Sequence, residues 1–147
     1  MEQQRSASLW VIGGLVLVAI AAFVPLLMMR GGSADVDLSR DKLTAKGLYR
    51  VAIAPEAEPF DRSALHSWIA TVSTPAGAPV EGAEISIDGG MPQHGHGLPT
   101  APAVTASLGG GRYRIEGVRF NMGGLWEFKL RIRAAPGEDD VTFNLDL

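Results

Sequence analysis

The residues of this chain that are best suited to chemistry are concentrated in one short stretch, Met91 to Pro99. It contains two of the three histidines, His94 and His96, which are separated by a single glycine. Side chains two positions apart project to the same side of an extended chain, so the two imidazoles would point the same way if the chain is extended there. The neighbouring glycines leave space around the rings and permit unusual backbone angles. The stretch therefore predicts an exposed loop with two nitrogen donors.

Two methionines add sulfur donors to this loop. Met91 lies three residues before His94, and Met122 lies at a predicted strand end followed by two glycines. A thioether favours Cu(I), whereas imidazole accepts Cu(I), Cu(II) and zinc. We therefore predict a site for one copper ion formed by His94, His96, Met91 and Met122. The alternative is that the methionines fill the core and the histidines only cap a loop.

His66 is a separate candidate. It has the same strand parity as Trp68, Ala70 and Val72, so its side chain should point inward near the start of a strand. One interpretation is a third metal ligand, or a group that orients a ligand. The other is a hydrogen-bonded histidine at the rim of the core, and the spacing does not decide between them.

Composition excludes several functional classes. The chain has 147 residues, enough for one domain with appendages, and a net charge of -3. That charge balance gives no basic surface for nucleic acid. Cysteine is absent, which excludes disulfides, thiolate zinc sites, blue copper centres and cysteine nucleophiles. Because no G-x-S-x-G or H-E-x-x-H motif is present either, we do not expect an enzyme.

The beginning of the chain predicts a membrane anchor. Residues 9–29 carry no charge, and the run is close to the roughly 20 residues that a spanning helix needs. A cleaved signal peptide is the alternative, since residues 19–21 resemble an A-x-A cleavage site. We favour the anchor because the apolar run continues beyond that point. The expected order is a cytoplasmic tail (1–8), a transmembrane anchor (9–29), a polar linker (30–46) and an exported domain (47–147).

The exported domain alternates apolar and polar residues with a period of two, which is typical of antiparallel sheets with one buried face. Trp68 and Trp126 are the predicted core anchors. Glycine- and proline-containing turns separate the runs, and Asp139-Asp140 also indicates a turn. The pattern predicts an all-β, seven-stranded immunoglobulin-like antiparallel β-sandwich, with strands near residues 49–53, 66–72, 83–88, 104–108, 113–116, 126–133 and 141–147.

Several short motifs together resemble the YtkA-like domain family, whose members are often labelled FixH-related. The likeness runs from about Ala64 to Leu147. It rests on Leu65-His66-Ser67-Trp68, Gly82-Ala83, Gly90-Met91-Pro92-Gln93-His94-Gly95-His96-Gly97, Gly111-Arg112-Tyr113, Phe120-Asn121-Met122 and Leu125-Trp126-Glu127. The resemblance implies a bacterial, membrane-anchored or secreted immunoglobulin-like domain. The FixH-related members imply a role in assembling a cbb3-type cytochrome oxidase alongside a copper-transporting ATPase.

Two functions follow as expectations. The first is a copper-handling or respiratory-oxidase assembly protein of the bacterial cytoplasmic membrane, single-pass, with its C-terminal domain in the periplasm. Its partners would be the membrane and a membrane oxidase or copper-transport protein. The second is a metal-free interaction module in which the glycine-rich loop is a docking edge for a membrane partner.

Overall fold

The computed structural model describes residues 35–147. The predicted cytoplasmic tail and transmembrane anchor lie outside the described residues. Within the described part, no helix is long and apolar enough to cross a membrane. The elements are β1 (Asp41–Leu43), β2 (Arg50–Pro55), β3 (His66–Ser73), β4 (Glu84–Met91), a 3-10 helix (Pro92–His94), β5 (His96–Gly97), β6 (Ala103–Gly109), β7 (Arg112–Val118), β8 (Leu125–Ala134) and β9 (Gly137–Asp146).

The all-β antiparallel architecture is confirmed. The strands form one sheet in the order β1-β2-β3-β7-β6-β4-β8-β9, with β5 paired to β4, and every pairing is antiparallel. The predicted count of seven is wrong, because the sheet formed by the described residues has nine strands. Each of the seven predicted runs coincides with a strand. The two additional strands are β1, which lies in the segment predicted as a linker, and β5, which lies inside the histidine loop.

The sheet curls until its two outer strands meet, which gives a near-barrel. The side chain of Asn144 in β9 donates a hydrogen bond to the carbonyl of Asp37 at 3.0 Å. Lys42 in β1 donates to the carbonyl of Thr142 at 3.2 Å. Between β4 and β6 the ladder is reduced to one pair, Ser86 opposite Ala103. The sheet is therefore closed by side chains on one side and is almost open on the other.

The core fills the inside of this curl, as the period-two alternation predicts. Both predicted tryptophan anchors, Trp68 and Trp126, are fully buried. Along β8 the inward residues alternate with charged residues that face water. The largest buried side chains are Trp68, Trp126, Tyr49, Tyr113, Phe120, Phe128 and Phe143.

One buried carboxylate, that of Asp139, links β9 to the segment between β1 and β2. It accepts hydrogen bonds from the backbone N–H groups of Lys46 at 3.0 Å, Leu48 at 3.2 Å and Asp140 at 2.9 Å. Burial acts to raise the pKa of Asp139, but hydrogen bonds from the Thr44 hydroxyl and from these N–H groups outweigh burial and lower the pKa to about 2. Asp139 is therefore ionised in the folded protein, and it lies within β9 rather than in the predicted turn.

Replacing Asp139 by asparagine tests this closure. We expect Asp139→Asn to lower the free energy of unfolding at pH 7 by about 1–3 kcal/mol, because charge-assisted hydrogen bonds are lost in a buried site. The folded-state pKa, about 2, lies below the ordinary 3.8. The contribution is therefore complete above about pH 4 and is lost as the pH falls toward 2. Denaturant unfolding of both proteins across that range measures the difference.

The matched control is Asp140→Asn at the neighbouring position. The Asp140 carboxylate is exposed and pairs with Arg131 at 2.9 Å, and exposed ion pairs contribute about 0–1 kcal/mol. The control should therefore unfold close to wild type. If Asp139→Asn and wild type have the same free energy of unfolding at pH 7, the Asp139 carboxylate does not stabilise the closed sheet.

Candidate metal centre

The histidine loop is a tight hairpin attached to the end of β4. After Met91 the chain makes one turn of 3-10 helix and reverses at Gly95, whose φ is 64°. It returns as β5, with His96 opposite Met91 and Gly97 opposite Gly90. The chain is therefore not extended at His94, because the helical turn and the left-handed glycine reverse it there, and the condition for both imidazoles to project from one side of a strand is not met.

The two imidazoles nevertheless lie near each other, with their rings stacked. The ring centroids of His94 and His96 are 6.3 Å apart and the ring planes differ by 15°. Both residues are exposed. A metal about 2.0–2.1 Å from a ring nitrogen lies about 3 Å from the ring centroid. The separation would suit one shared ion only after the stacked rings rotate, because a metal lies in the plane of each imidazole that binds it.

The two predicted sulfur donors have different surroundings. Met91 is buried, with 2% of its surface exposed, whereas Met122 is 40% exposed. The terminal methyl carbon of Met91 packs beside Gly124, where an added Cβ would lie only 3.1 Å from it. The backbone carbonyl of Met122 accepts a hydrogen bond from the Trp126 indole at 3.2 Å. The methionine loop (119–124) therefore lies next to the end of β4, and Met122 is the methionine open to solvent there.

His66 belongs to an aromatic cluster. Its Nδ1 is 3.0 Å from the carbonyl of Ala64, and because a carbonyl only accepts, Nδ1 is the protonated nitrogen. The other nitrogen, Nε2, is buried without a hydrogen-bond partner among the described residues. The ring stacks on Phe60 at 4.6 Å and lies 5.6 Å from Phe120 and 6.5 Å from Trp68. The Nε2 atom of His66 is thus enclosed beside aromatic rings and is not open to solvent.

All five predicted residues nevertheless lie at one end of the sheet, which we call the donor end. The start of β3, with His66, pairs with the end of β7 at Val118. The end of β4 pairs with the start of β8, Gly90 opposite Glu127. The methionine loop connects β7 to β8. Antiparallel pairing therefore brings the histidine loop, the methionine loop and His66 to the same end.

A shallow pocket of about 330 Å³ adjoins the histidine loop and includes Met91 and His96 in its wall. Glu127 and Lys129 also line it, and their side chains form an ion pair at 2.7 Å. This hydrogen bond raises the pKa of Lys129. Within residues 35–147, no three side chains of histidine, cysteine, aspartate or glutamate are grouped to hold a metal ion.

Comparison with known protein families gives one match. The model of the YtkA-like family matches residues 46–131, which include the histidine loop, Met122 and His66. The chain belongs to the YtkA-like family. The comparison with curated proteins found no match, and neither did the comparison with solved structures. In this YtkA-like domain the matched residues extend into β8, and the described structure continues to the end of β9.

Sequence reasoning did not identify the residues that position the histidine loop. A Cβ on Gly90 would lie 2.1 Å from the carbonyl oxygen of His96, and one on Gly89 would lie 2.2 Å from the carbonyl oxygen of Glu127. The two glycines therefore let β5 and β8 approach β4 closely on its two edges. Adjacent glycines within a strand are the signal for such an approach, although the sequence alone predicts a turn at this point.

Gly90→Ala tests whether this approach holds the histidine loop in place. We expect the added methyl group to push β5 away, with a loss of about 1–3 kcal/mol of unfolding free energy and a large change in the His96 ring resonances by NMR. Gly97→Ala, the partner position, is the control, because its Cβ would meet nothing nearer than 3.8 Å. Unchanged His96 resonances in Gly90→Ala would show that the hairpin does not depend on this contact.

Proposed function

We propose that this chain is a membrane-anchored, extracytoplasmic copper-handling protein that holds one copper ion at the donor end. The observation that carries the proposal is the exposed pair His94 and His96, with ring centroids 6.3 Å apart, beside the loop of the exposed Met122. Two imidazoles and a thioether form a donor set that accepts both oxidation states of copper and favours Cu(I). No catalytic step is needed for such a role.

The remaining predicted residues have supporting roles in this proposal. Met91 forms the floor beneath the loop, where its buried side chain separates the site from the core. His66 stabilises the base of the neighbouring aromatic cluster. The protein would buffer copper or pass it to a membrane oxidase or a copper-transport protein.

We further propose an immunoglobulin-like sandwich in which β4, β8 and β9 face the other strands, since only one residue pair joins β4 to β6.

A metal-free interaction module is the second candidate. It is favoured by the exposed apolar side chains of Leu65 and Met122, which are 68% and 40% exposed. In that case the glycine-rich loop and its surroundings would bind a membrane partner directly.

Copper titration of the folded protein separates these functions. We expect His94→Ala and His96→Ala each to weaken Cu(I) and Cu(II) binding by at least about tenfold, since loss of even a hydrogen-bond partner of a metal ligand typically costs about 10–100-fold. Affinity should also fall with decreasing pH, because only neutral imidazole binds a metal. Competition against a chromophoric chelator measures both effects. If a variant with both His94→Ala and His96→Ala binds copper with wild-type affinity, the histidine loop is not the copper site. That result would favour the interaction module.

Leucine variants of the two methionines are a matched pair that tests how a sulfur ligand affects binding of the two oxidation states of copper. Leucine has nearly the volume of methionine but no sulfur. We expect Met122→Leu to weaken Cu(I) binding much more than Cu(II) binding, because the thioether is the soft ligand. Met91→Leu should leave copper affinity near wild type, since that side chain is buried. The same chelator competition measures both affinities. If Met91→Leu loses more Cu(I) affinity than Met122→Leu, the sulfur ligand is the buried Met91.

A further inference from the structure

Two buried polar atoms of the aromatic cluster have no hydrogen-bond partner among the described residues, and both belong to side chains of β3. They are Nε2 of His66 and Nε1 of Trp68. Trp68 is fully buried, and an indole nitrogen can only donate. Buried polar groups are nearly always hydrogen-bonded, because a group left without a partner costs free energy. Each of the two atoms therefore needs a partner that the described residues do not supply.

The two atoms have opposite hydrogen-bonding roles. Nδ1 of His66 donates to the carbonyl of Ala64 at 3.0 Å, so that in the neutral ring Nε2 is an acceptor. A second proton on Nε2 would leave an unpaired charge beside aromatic rings, which is costly. The cluster thus contains one donor without an acceptor and one acceptor without a donor. One molecule that both accepts and donates a hydrogen bond can satisfy both atoms.

The two rings are close enough to share such a molecule. Their centroids are 6.5 Å apart and their planes are inclined by 50°. Two hydrogen bonds of about 2.9 Å that meet at one oxygen join nitrogen atoms up to about 5.5 Å apart, which rings at this separation permit. The nitrogens do not bond each other directly, since neither has a partner within hydrogen-bond distance.

An irregularity in the sheet lies at the same place. The pairing of β3 with β7 shifts between His66, which is opposite Val118, and Trp68, which is opposite Ile115. β7 has one more residue than β3 in this interval, and its Gly117 has a φ of 78°. A bulge increases the local twist and redirects side chains. The inclination of the two rings, which are not stacked on each other, agrees with this redirection.

The surroundings of the two nitrogens favour a small ligand. Phe60 stacks on His66 at 4.6 Å, and Phe120 lies 5.6 Å from His66 and 6.4 Å from Trp68. These rings belong to the cluster that encloses both nitrogens, neither of which is open to solvent. A buried water molecule needs two to four polar partners, and this site offers two.

We propose that one water molecule is bound in the aromatic cluster, where it accepts a hydrogen bond from Nε1 of Trp68 and donates one to Nε2 of His66. The water fixes the tautomer of His66 and holds its ring beside Phe120, at the base of the methionine loop. It also occupies the nitrogen through which His66 would bind a metal. His66 is therefore a positioning residue and not a copper ligand. This inference does not depend on the proposed copper role.

Nuclear magnetic resonance of the metal-free, full-length protein in detergent micelles tests the proposal. We expect a cross-peak between the indole proton of Trp68 and a long-lived bound water, together with the Nδ1–H tautomer of His66. Trp126 is the matched control, because it is also fully buried but its indole donates to the Met122 carbonyl at 3.2 Å. Its indole proton should give no such cross-peak.

Absence of the water cross-peak at Trp68 overturns the proposal. If the Trp68 indole proton is then strongly shifted upfield, the N–H group instead points at the face of the Phe60 ring. A proton on Nε2 of His66 in place of Nδ1 also overturns it. Added Cu(I) should leave the cross-peak unchanged, and its loss would make His66 a copper ligand. Failure of the protein to bind copper would reject the copper role and leave the water site intact.

A pair of phenylalanine variants measures the coupling between the two side chains. His66→Phe keeps a ring that can stack on Phe60 but removes Nε2, and Trp68→Phe removes the indole N–H. We expect His66→Phe to raise the equilibrium constant for unfolding about fivefold more in the wild type than in Trp68→Phe, since one bridged pair is lost only in the former. Equal effects in the two backgrounds overturn the proposal. If Trp68→Phe does not fold, the water cross-peak of the wild type decides.

Discussion

At the end opposite the donor loops, the curled sheet is closed around one ionised side chain. Asp139 is fully buried, and its carboxylate accepts the backbone N–H groups of Lys46 and Leu48, which lie between β1 and β2. A buried N–H group without a partner is costly, and a buried carboxylate without donors is more so. The hydrogen bonds between the carboxylate and the N–H groups therefore remove the free-energy cost of burying either without a partner. Their pairing joins the two outer strands of the sheet and encloses the aromatic core.

This closure separates the scaffold from the site. The Asp139 contacts lie near the start of β9, whereas the histidine and methionine loops lie beyond the end of β4 and before the start of β8. The loops can therefore change their conformation without breaking the Asp139 contacts. Such a division between a rigid scaffold and variable loops is common for binding sites.

Phe120 connects the scaffold to the methionine loop. Its ring lies 5.2 Å from Trp126, 6.3 Å from Phe128 and 6.4 Å from Trp68, within the range of favourable aromatic pairs. Met122 follows two residues later and is held by the Trp126 indole. The buried ring fixes the base of the loop and leaves the methionine exposed. The histidine loop is positioned differently, by the close approach of β5 to β4 at Gly90.

The sequence by itself determined the all-β antiparallel class, the positions of seven strands and the burial of Trp68 and Trp126. These features follow from period-two alternation, which records the burial of one strand face and is a local property of the chain. The same alternation, interrupted by glycines, also located the two loops that carry His94, His96 and Met122.

Only the tertiary structure decided the closure of the sheet, the two short strands and the different surroundings of the two methionines. The Asp139 contacts join residues 91 and 93 positions apart, and no local pattern encodes such a pairing. Met91 and Met122 have the same side chain, yet one packs beside Gly124 and the other faces solvent. That difference arises from the packing of distant strands, because burial depends on which segments meet and not on residue type.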